Sequence, residues 1–189
     1  MIVVTAYLLY LGISIPIPIT MEVSALEIMT NDKGHFYERS VTIQGTYRIN
    51  IFRQFHEFWG TIKIDEYSDT HGWMVPLVFQ KSTLGGGQSY VARLSYPSIP
   101  EPRDIKIHRD GVITYSIEVT YNSEVSTSTY GHFGDVRAGF CFHEPIIIEL
   151  MSSSDSTGHH DYHVIVLGVT TREEAIAAVL HHYPLLHIE

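Results

Sequence analysis

Val41-Thr42-Ile43-Gln44-Gly45-Thr46-Tyr47-Arg48-Ile49 is the stretch that decides the fold. Its odd positions are apolar or glycine, and its even positions are Thr, Gln, Thr and Arg. Successive side chains of a β-strand point to opposite faces, so such alternation marks a strand with one dry and one wet face. The pattern returns where Phe58, Gly60, Ile62 and Ile64 oppose Trp59, Thr61, Lys63 and Asp65. It returns again where Ile113, Tyr115, Ile117 and Val119 oppose Thr114, Ser116, Glu118 and Thr120. One-sided patterning of this kind belongs to antiparallel sheets. Further strands are expected at 22–29, 73–80, 89–96, 104–109, 145–150 and 162–169.

Turn chemistry separates these runs. Asn31-Asp32-Lys33-Gly34, Gly85-Gly86-Gly87 and Asp110-Gly111 are turn clusters, and Asp110-Gly111 between two alternating runs predicts a tight hairpin. Pro97, Pro100 and Pro102 suit an edge or a crossing loop. Segment 122–139 is poor in large aliphatics and reads as a long mobile loop. Residues 152–158 form a Ser-rich connector, and 159–189 carry a last strand and a helix. Thr171 and Glu174 form a capping box, Glu173 and Glu174 favour the helix start, and Pro184 ends it. Ala175, Ile176, Val179 and Leu180 make its apolar face. The expected fold is mainly β, an antiparallel sandwich or barrel over 22–151, with one C-terminal helix docked on it.

The chain has 189 residues, 44% of them hydrophobic and 17% charged, which fits one folded domain rather than a disordered segment. Its formal charge of −9 argues against nucleic acid, whose phosphates demand a basic face. A single cysteine excludes an internal disulfide and any Cys-rich zinc site. Twelve histidines titrating near pH 6.5 also leave room for pH sensing.

Residues 1–20, MIVVTAYLLYLGISIPIPIT, carry no charge; the first is Glu22. About 20 apolar residues in a helix match a bilayer core of about 30 Å. Segment 1–21 is therefore read as a signal-anchor or export signal that places the globular part outside the cytoplasm. Val23-Ser24-Ala25 offers a small-x-small cleavage site. Pro16 and Pro18 interrupt a regular helix, and no Lys or Arg precedes the run. The alternative is a first strand, since Ile-Val-Val and Ile-x-Ile-x-Ile are rich in β-branched residues.

Several residue groups suggest chemistry. His159, His160 and His163, with Asp161 between them, are candidate ligands of a divalent metal such as zinc, against the plainer reading of a polar loop. Phe52, Phe55, His56, Phe58 and Trp59 form an aromatic cluster, of which Phe55 and Trp59 are candidate ligand-binding side chains; a core plug is the ordinary alternative. Glu57, Asp65, Glu66 and Asp69 supply carboxylates beside it. Cys141 and His143 would share a face if they lay in a strand, although a small buried thiol is the plainer reading. Gly85-Gly86-Gly87 lacks the Lys and the following helix of a phosphate loop. No GxSxG or HExxH motif is present, and no catalytic residue is assigned.

Val41-Thr42-Ile43-Gln44-Gly45-Thr46-Tyr47, Phe58-Trp59-Gly60-Thr61-Ile62-Lys63-Ile64 and Thr171-Arg172-Glu173-Glu174-Ala175 resemble segments of uncharacterised exported or membrane-anchored β-rich proteins of Gram-positive bacteria. The likeness covers most of residues 40–180 in layout and rests on short words. It implies a small anchored domain after one apolar segment, and it carries no catalytic residue.

The expected role is that of an extracytoplasmic, tethered or exported β-domain with an accessory or binding function. Its partners would be the membrane through residues 1–20, and a surface protein or a carbohydrate. Two alternatives stand beside it. One is a metal-dependent or carboxylate-based hydrolase; the other is a soluble cytosolic barrel that binds a small ligand.

Overall fold

The computed structural model describes residues 14–29, 36–50, 53, 55–82, 89–97, 104–116, 132–143, 146–150 and 163–182. Among these residues ten strands, β1 (Ser14–Met29), β2 (Phe36–Asn50), β3 (Phe55–Ile64), β4 (Leu77–Lys81), β5 (Tyr90–Ser95), β6 (Asp104–Ile107), β7 (Ile113–Ser116), β8 (His132–Ala138), β9 (Ile146–Leu150) and β10 (His163–Leu167), precede the C-terminal helix α1 (Arg172–His182). Eight of the strands close into an antiparallel barrel of order β1-β10-β9-β8-β5-β4-β3-β2, while β6 and β7 form a separate hairpin.

The alternation behaves as the sequence requires. Val41, Ile43 and Tyr47 on β2 and Phe58, Ile62 and Ile64 on β3 are buried inside the barrel. Ile43 lies opposite Ile62, and Gly45 opposite Gly60. The two glycines serve a close approach. A methyl group on Gly45 would fall 2.3 Å from the Trp59 carbonyl oxygen and 2.9 Å from the Phe58 ring. The empty space above both glycines is where the Phe58 ring lies. With Tyr47, Phe79 and Leu94 also fully buried, side chains fill the interior.

Two parts of the expectation change. β1 begins at Ser14 rather than at 22, so Ser14–Thr20 of the uncharged run are strand, paired with Asn50–Gln44 of β2. A helix across 1–20 is therefore not formed; residues 1–13 lie outside the described residues. Among the described residues, Ser14–Ser24 pair with β2 alone, Ala25–Ile28 with both β2 and β10, and Met29 with β10. Pro16 and Pro18 lie on the singly paired half, where a missing N–H need not break a ladder. The Val23-Ser24-Ala25 site also lies within β1, so cleavage after Ala25 would strip most of the strand.

The second change is β8, which occupies part of the segment read as a mobile loop. Gly134, Val136 and Ala138 turn small side chains inward. A bulge between Leu94 and Ser95 of β5 leaves Phe133 unpaired and packs its ring against Tyr96. Of the 113–120 run, Ile113–Ser116 form β7, which among the described residues pairs only with β6 and stands outside the barrel; 117–120 lie outside the described residues.

Helix α1 covers the outside of the barrel seam. Its Ala175 and Val179 pack on Leu26, Ile28, Ile147, Val164 and Val166. The capping box forms: the Glu174 N–H donates to Thr171 Oγ1 at 3.3 Å, and Glu174 Oε2 accepts from the Thr170 and Thr171 N–H groups. Those amide bonds hold the Glu174 carboxyl below its ordinary range. Leu180, expected on the apolar face, is largely exposed. Among the described residues, no helix is long and apolar enough to cross a membrane.

Candidate functional site

At one end of the barrel the β8–β9 connection folds inward. Cys141 and Phe142 both adopt left-handed backbone conformations, with φ of 55° and 58°. That conformation costs an L-residue about 1 kcal/mol or more. It buries Phe142 among Tyr47, Phe58 and Phe79, with ring centroids 4.9–5.8 Å apart. It leaves Phe140 outside, 44% exposed, edge-on to His56 at 5.3 Å. Cys141 therefore lies in a tight turn rather than a strand, and it does not share a sheet face with His143. Burial pushes its thiol up, which keeps it protonated at neutral pH.

Beside this plug opens a cleft of about 750 Å³, lined by Arg53, Phe55, His56, Gln80, Lys81, Tyr90, Arg109 and Asp110. Three chain segments meet there: the β2–β3 turn, the β4 and β5 ends, and the tip of the β6–β7 hairpin. The expected Asp110-Gly111 turn builds that tip. Gly111 has φ of 86°, the Val112 N–H donates to Asp110 Oδ1 at 3.1 Å, and the His108 N–H closes the loop onto the Val112 carbonyl at 2.8 Å. The turn seats Gly111 against Val78, Gln80 and Phe55, which brings Arg109 and Asp110 to the cleft. The described lining thus holds three cations and one carboxylate, in a chain whose net charge is −9.

Each cation has a different setting. The Arg53 guanidinium sits 5.4 Å above the Phe55 ring and reaches Glu57 at 3.2 Å. Lys81 is exposed and has no carboxylate partner among the described residues. Arg109 is exposed at the hairpin tip. His56 is a neutral donor instead of a fourth cation. Burial lowers its basicity, and its Nδ1 accepts the Asn50 N–H at 3.3 Å, which leaves the ring hydrogen on Nε2.

The opposite end of the barrel holds a second polar group. Glu27, 1% exposed, accepts from Arg39 Nε at 2.7 Å, from the Tyr67 hydroxyl at 2.7 Å and from His163 Nδ1 at 2.9 Å. Arg39 also binds Glu66. Burial opposes the Glu27 charge, but the three donors outweigh it and hold the carboxyl below 4.5. Burial and the neighbouring carboxylate raise the Tyr67 hydroxyl. Tyr67, Phe133 and Tyr96 close this end with edge-on rings.

The residues anticipated from sequence separate across these places. Phe55 lines the cleft, buried beneath the hairpin tip. Trp59 lies on the outer sheet face, where its Nε1 donates to Glu57 at 2.9 Å and Arg48 stacks over it at 5.1 Å. His163 joins Glu27, whereas His159 and His160 lie outside the described residues. Among the described residues no three His, Cys, Asp or Glu side chains group as metal ligands would.

The chain matches no protein-family model, no curated protein and no solved structure. The site is therefore read from its geometry. Sequence reading passed over Arg53, His56, Lys81, Tyr90 and Arg109 as binding residues. A signal was present: His56 continues the inward parity of Phe58 and Ile62, Lys81 that of Leu77 and Phe79, and Tyr90 that of Ala92 and Leu94. A polar side chain where the inward parity runs out marks a barrel mouth.

Proposed function

We propose that this chain is a small-molecule-binding barrel whose site is the cleft at the β8–β9 end. The observation that carries this reading is the convergence of Arg53, His56, Lys81, Tyr90 and Arg109 from three segments around one open cleft. Its volume is of the size that binds small ligands, about 300–1,000 Å³. The barrel interior is filled, so a ligand belongs at the mouth. Amide shift mapping against a fragment collection tests it. Shifts should gather at 53–56, 80–81, 90 and 109–111; scattered shifts, or none there, would remove the reading.

Placement outside the cytoplasm belongs to the same proposal and now rests on residues 1–13, the part of the uncharged run outside the described residues. Fractionation of cells expressing the full chain tests it, and recovery only from the soluble cytoplasm would sink it. A carbohydrate or protein partner docked on the aromatic cluster has less support. Phe55 is only 3% exposed, and Trp59 is tied to Glu57 and Arg48.

A hydrolytic role is the second reading, and one observation favours it. Glu27 accepts a hydrogen bond from His163 Nδ1 at 2.9 Å, so a carboxylate orients this imidazole as it does in nucleophile–base pairs. Hydrolysis of p-nitrophenyl acetate that disappears in His163→Ala while the fold persists would support it. A rate equal to that of free imidazole would dismiss it.

A further inference from the structure

We infer that the mouth cleft takes an amphiphilic anion, a flat or short apolar body bearing one acidic group, with the acid at the cations and the body on Tyr90 and Phe140. This rests on the small-molecule reading above and names the ligand class.

Charge is the first support. The chain carries 12 Lys and Arg against 21 Asp and Glu, yet the described lining of the cleft holds Arg53, Lys81 and Arg109 with Asp110, while Glu57 pairs with Arg53. Concentrating the scarce charge in a concave site raises the local concentration of anions. Arg53 is fixed by Glu57 and by the Phe55 ring, so its fork is held in place before a ligand arrives. Lys81 and Arg109 approach from the strand end and the hairpin tip. His56 adds an uncharged N–H donor.

The second support is the Tyr90 ring, which lines the cleft, and the Phe140 ring packed beside it and His56. Tyr90 lies 5.2 Å from His56 and 6.3 Å from Phe140, and Phe140 keeps 44% of its surface exposed. The exposed phenylalanine is followed by two successive left-handed residues, Cys141 and Phe142, neither of them glycine. Backbone strain of this kind gathers at ligand clamps. Cations and ring faces side by side match an acid attached to an apolar body better than they match a bare inorganic anion or a neutral sugar.

Two naphthalene probes test this on the full chain. 1-Anilinonaphthalene-8-sulfonate is anionic, and N-phenyl-1-naphthylamine is the same body without the acid. The sulfonate should bind one per chain and at least about fivefold more tightly than the amine. The double variant Lys81→Gln with Arg109→Gln should weaken the sulfonate by about that factor and leave the amine unchanged. Lys63→Gln, an exposed lysine outside the cleft, should change neither. Both cleft side chains are exposed, so the double variant is expected to fold, and circular dichroism verifies it. Equal affinity for the two probes, localised to the cleft by amide shifts, would overturn the anionic class and leave small-molecule binding standing. Sulfonate binding untouched by the double variant would overturn the proposed position. Failure of both probes, together with an empty fragment map, would remove the parent reading too.

Discussion

His163 Nδ1 lies 2.9 Å from Glu27 Oε1, joining β10 to β1 at the seam that closes the barrel. The carboxylate beneath this contact also holds Arg39 at 2.7 Å. Removing one member of a buried, hydrogen-bonded ion pair strands the other charge, which costs about 3–5 kcal/mol. Glu27→Gln is thus expected to lose about 3 kcal/mol in urea unfolding, read as a lower midpoint at an unchanged slope. A loss under about 1 kcal/mol would mean that the cluster is solvated rather than buried.

The same carboxyl sets the acid limb of stability. Folding holds Glu27 below 4.5, so as pH falls the unfolded chain takes up that proton first. The stability it contributes is complete above the ordinary carboxylate range and is lost as pH drops through the lowered folded value. Urea midpoints between pH 6 and pH 3 should fall more steeply in the native chain than in Glu27→Gln. Parallel limbs would show that other carboxylates govern acid unfolding.

Gly45 and Gly60 face each other across β2 and β3, and the Phe58 ring fills the gap they leave. A methyl group on Gly60 would meet the Gln44 carbonyl oxygen at 2.2 Å, a backbone atom that no rotamer change can move. Gly60→Ala is expected to cost about 3 kcal/mol, at the upper end of overpacking penalties. An unchanged thermal midpoint would show that the strands separate without penalty.

Much of this architecture was legible because the barrel is built from alternation. Val41 to Ile49 and Phe58 to Ile64 name their inward residues directly, and Asp110-Gly111 and Thr171 with Glu174 name a turn and a cap. β8 was hidden because Gly134 and Ala138 leave its inward face with little apolar mass, and because the bulge at Phe133 breaks its period. The first half of β1, before the strand expected at 22–29, was legible as a strand only in the alternative, and for the opposite reason. An uncharged run with two prolines has the composition of a membrane segment, and only the pairing with Gln44–Asn50 distinguishes it. At the site, Phe55 was legible from its aromatic neighbours. Arg53, Lys81 and Arg109 are far apart in sequence, and only barrel closure and hairpin docking bring them together.

The β1 assignment leads to a truncation test. A chain beginning at Glu22 loses Ile17, Ile19 and Met21, which pack against the barrel core, together with the ladder to residues 43–50. Burial of such side chains contributes about 1.5–3 kcal/mol each, so the loss is on the order of 5 kcal/mol, enough to unfold a marginal domain. Far-ultraviolet circular dichroism and urea titration should show a largely unfolded chain. A truncated protein with native spectra and an unshifted midpoint would separate Ser14–Met21 from the barrel and return the whole of 1–21 to a role outside it.

Phe142 joins the fold to the cleft, and its removal should reveal the coupling. Its ring is 3% exposed and sits against Phe58, Phe79 and Tyr47, so Phe142→Ala leaves a cavity that costs about 3–5 kcal/mol. Phe142→Leu keeps most of the volume and should cost under about 1.5 kcal/mol. If the inserted ring is what holds Phe140 outside over His56 and Tyr90, the alanine variant should bind 1-anilinonaphthalene-8-sulfonate more weakly even where urea titration shows it fully folded. The leucine variant should retain the native affinity. Equal binding by all three proteins, measured well below their unfolding midpoints, would show that the β8–β9 turn stabilises the barrel end without shaping the cleft wall.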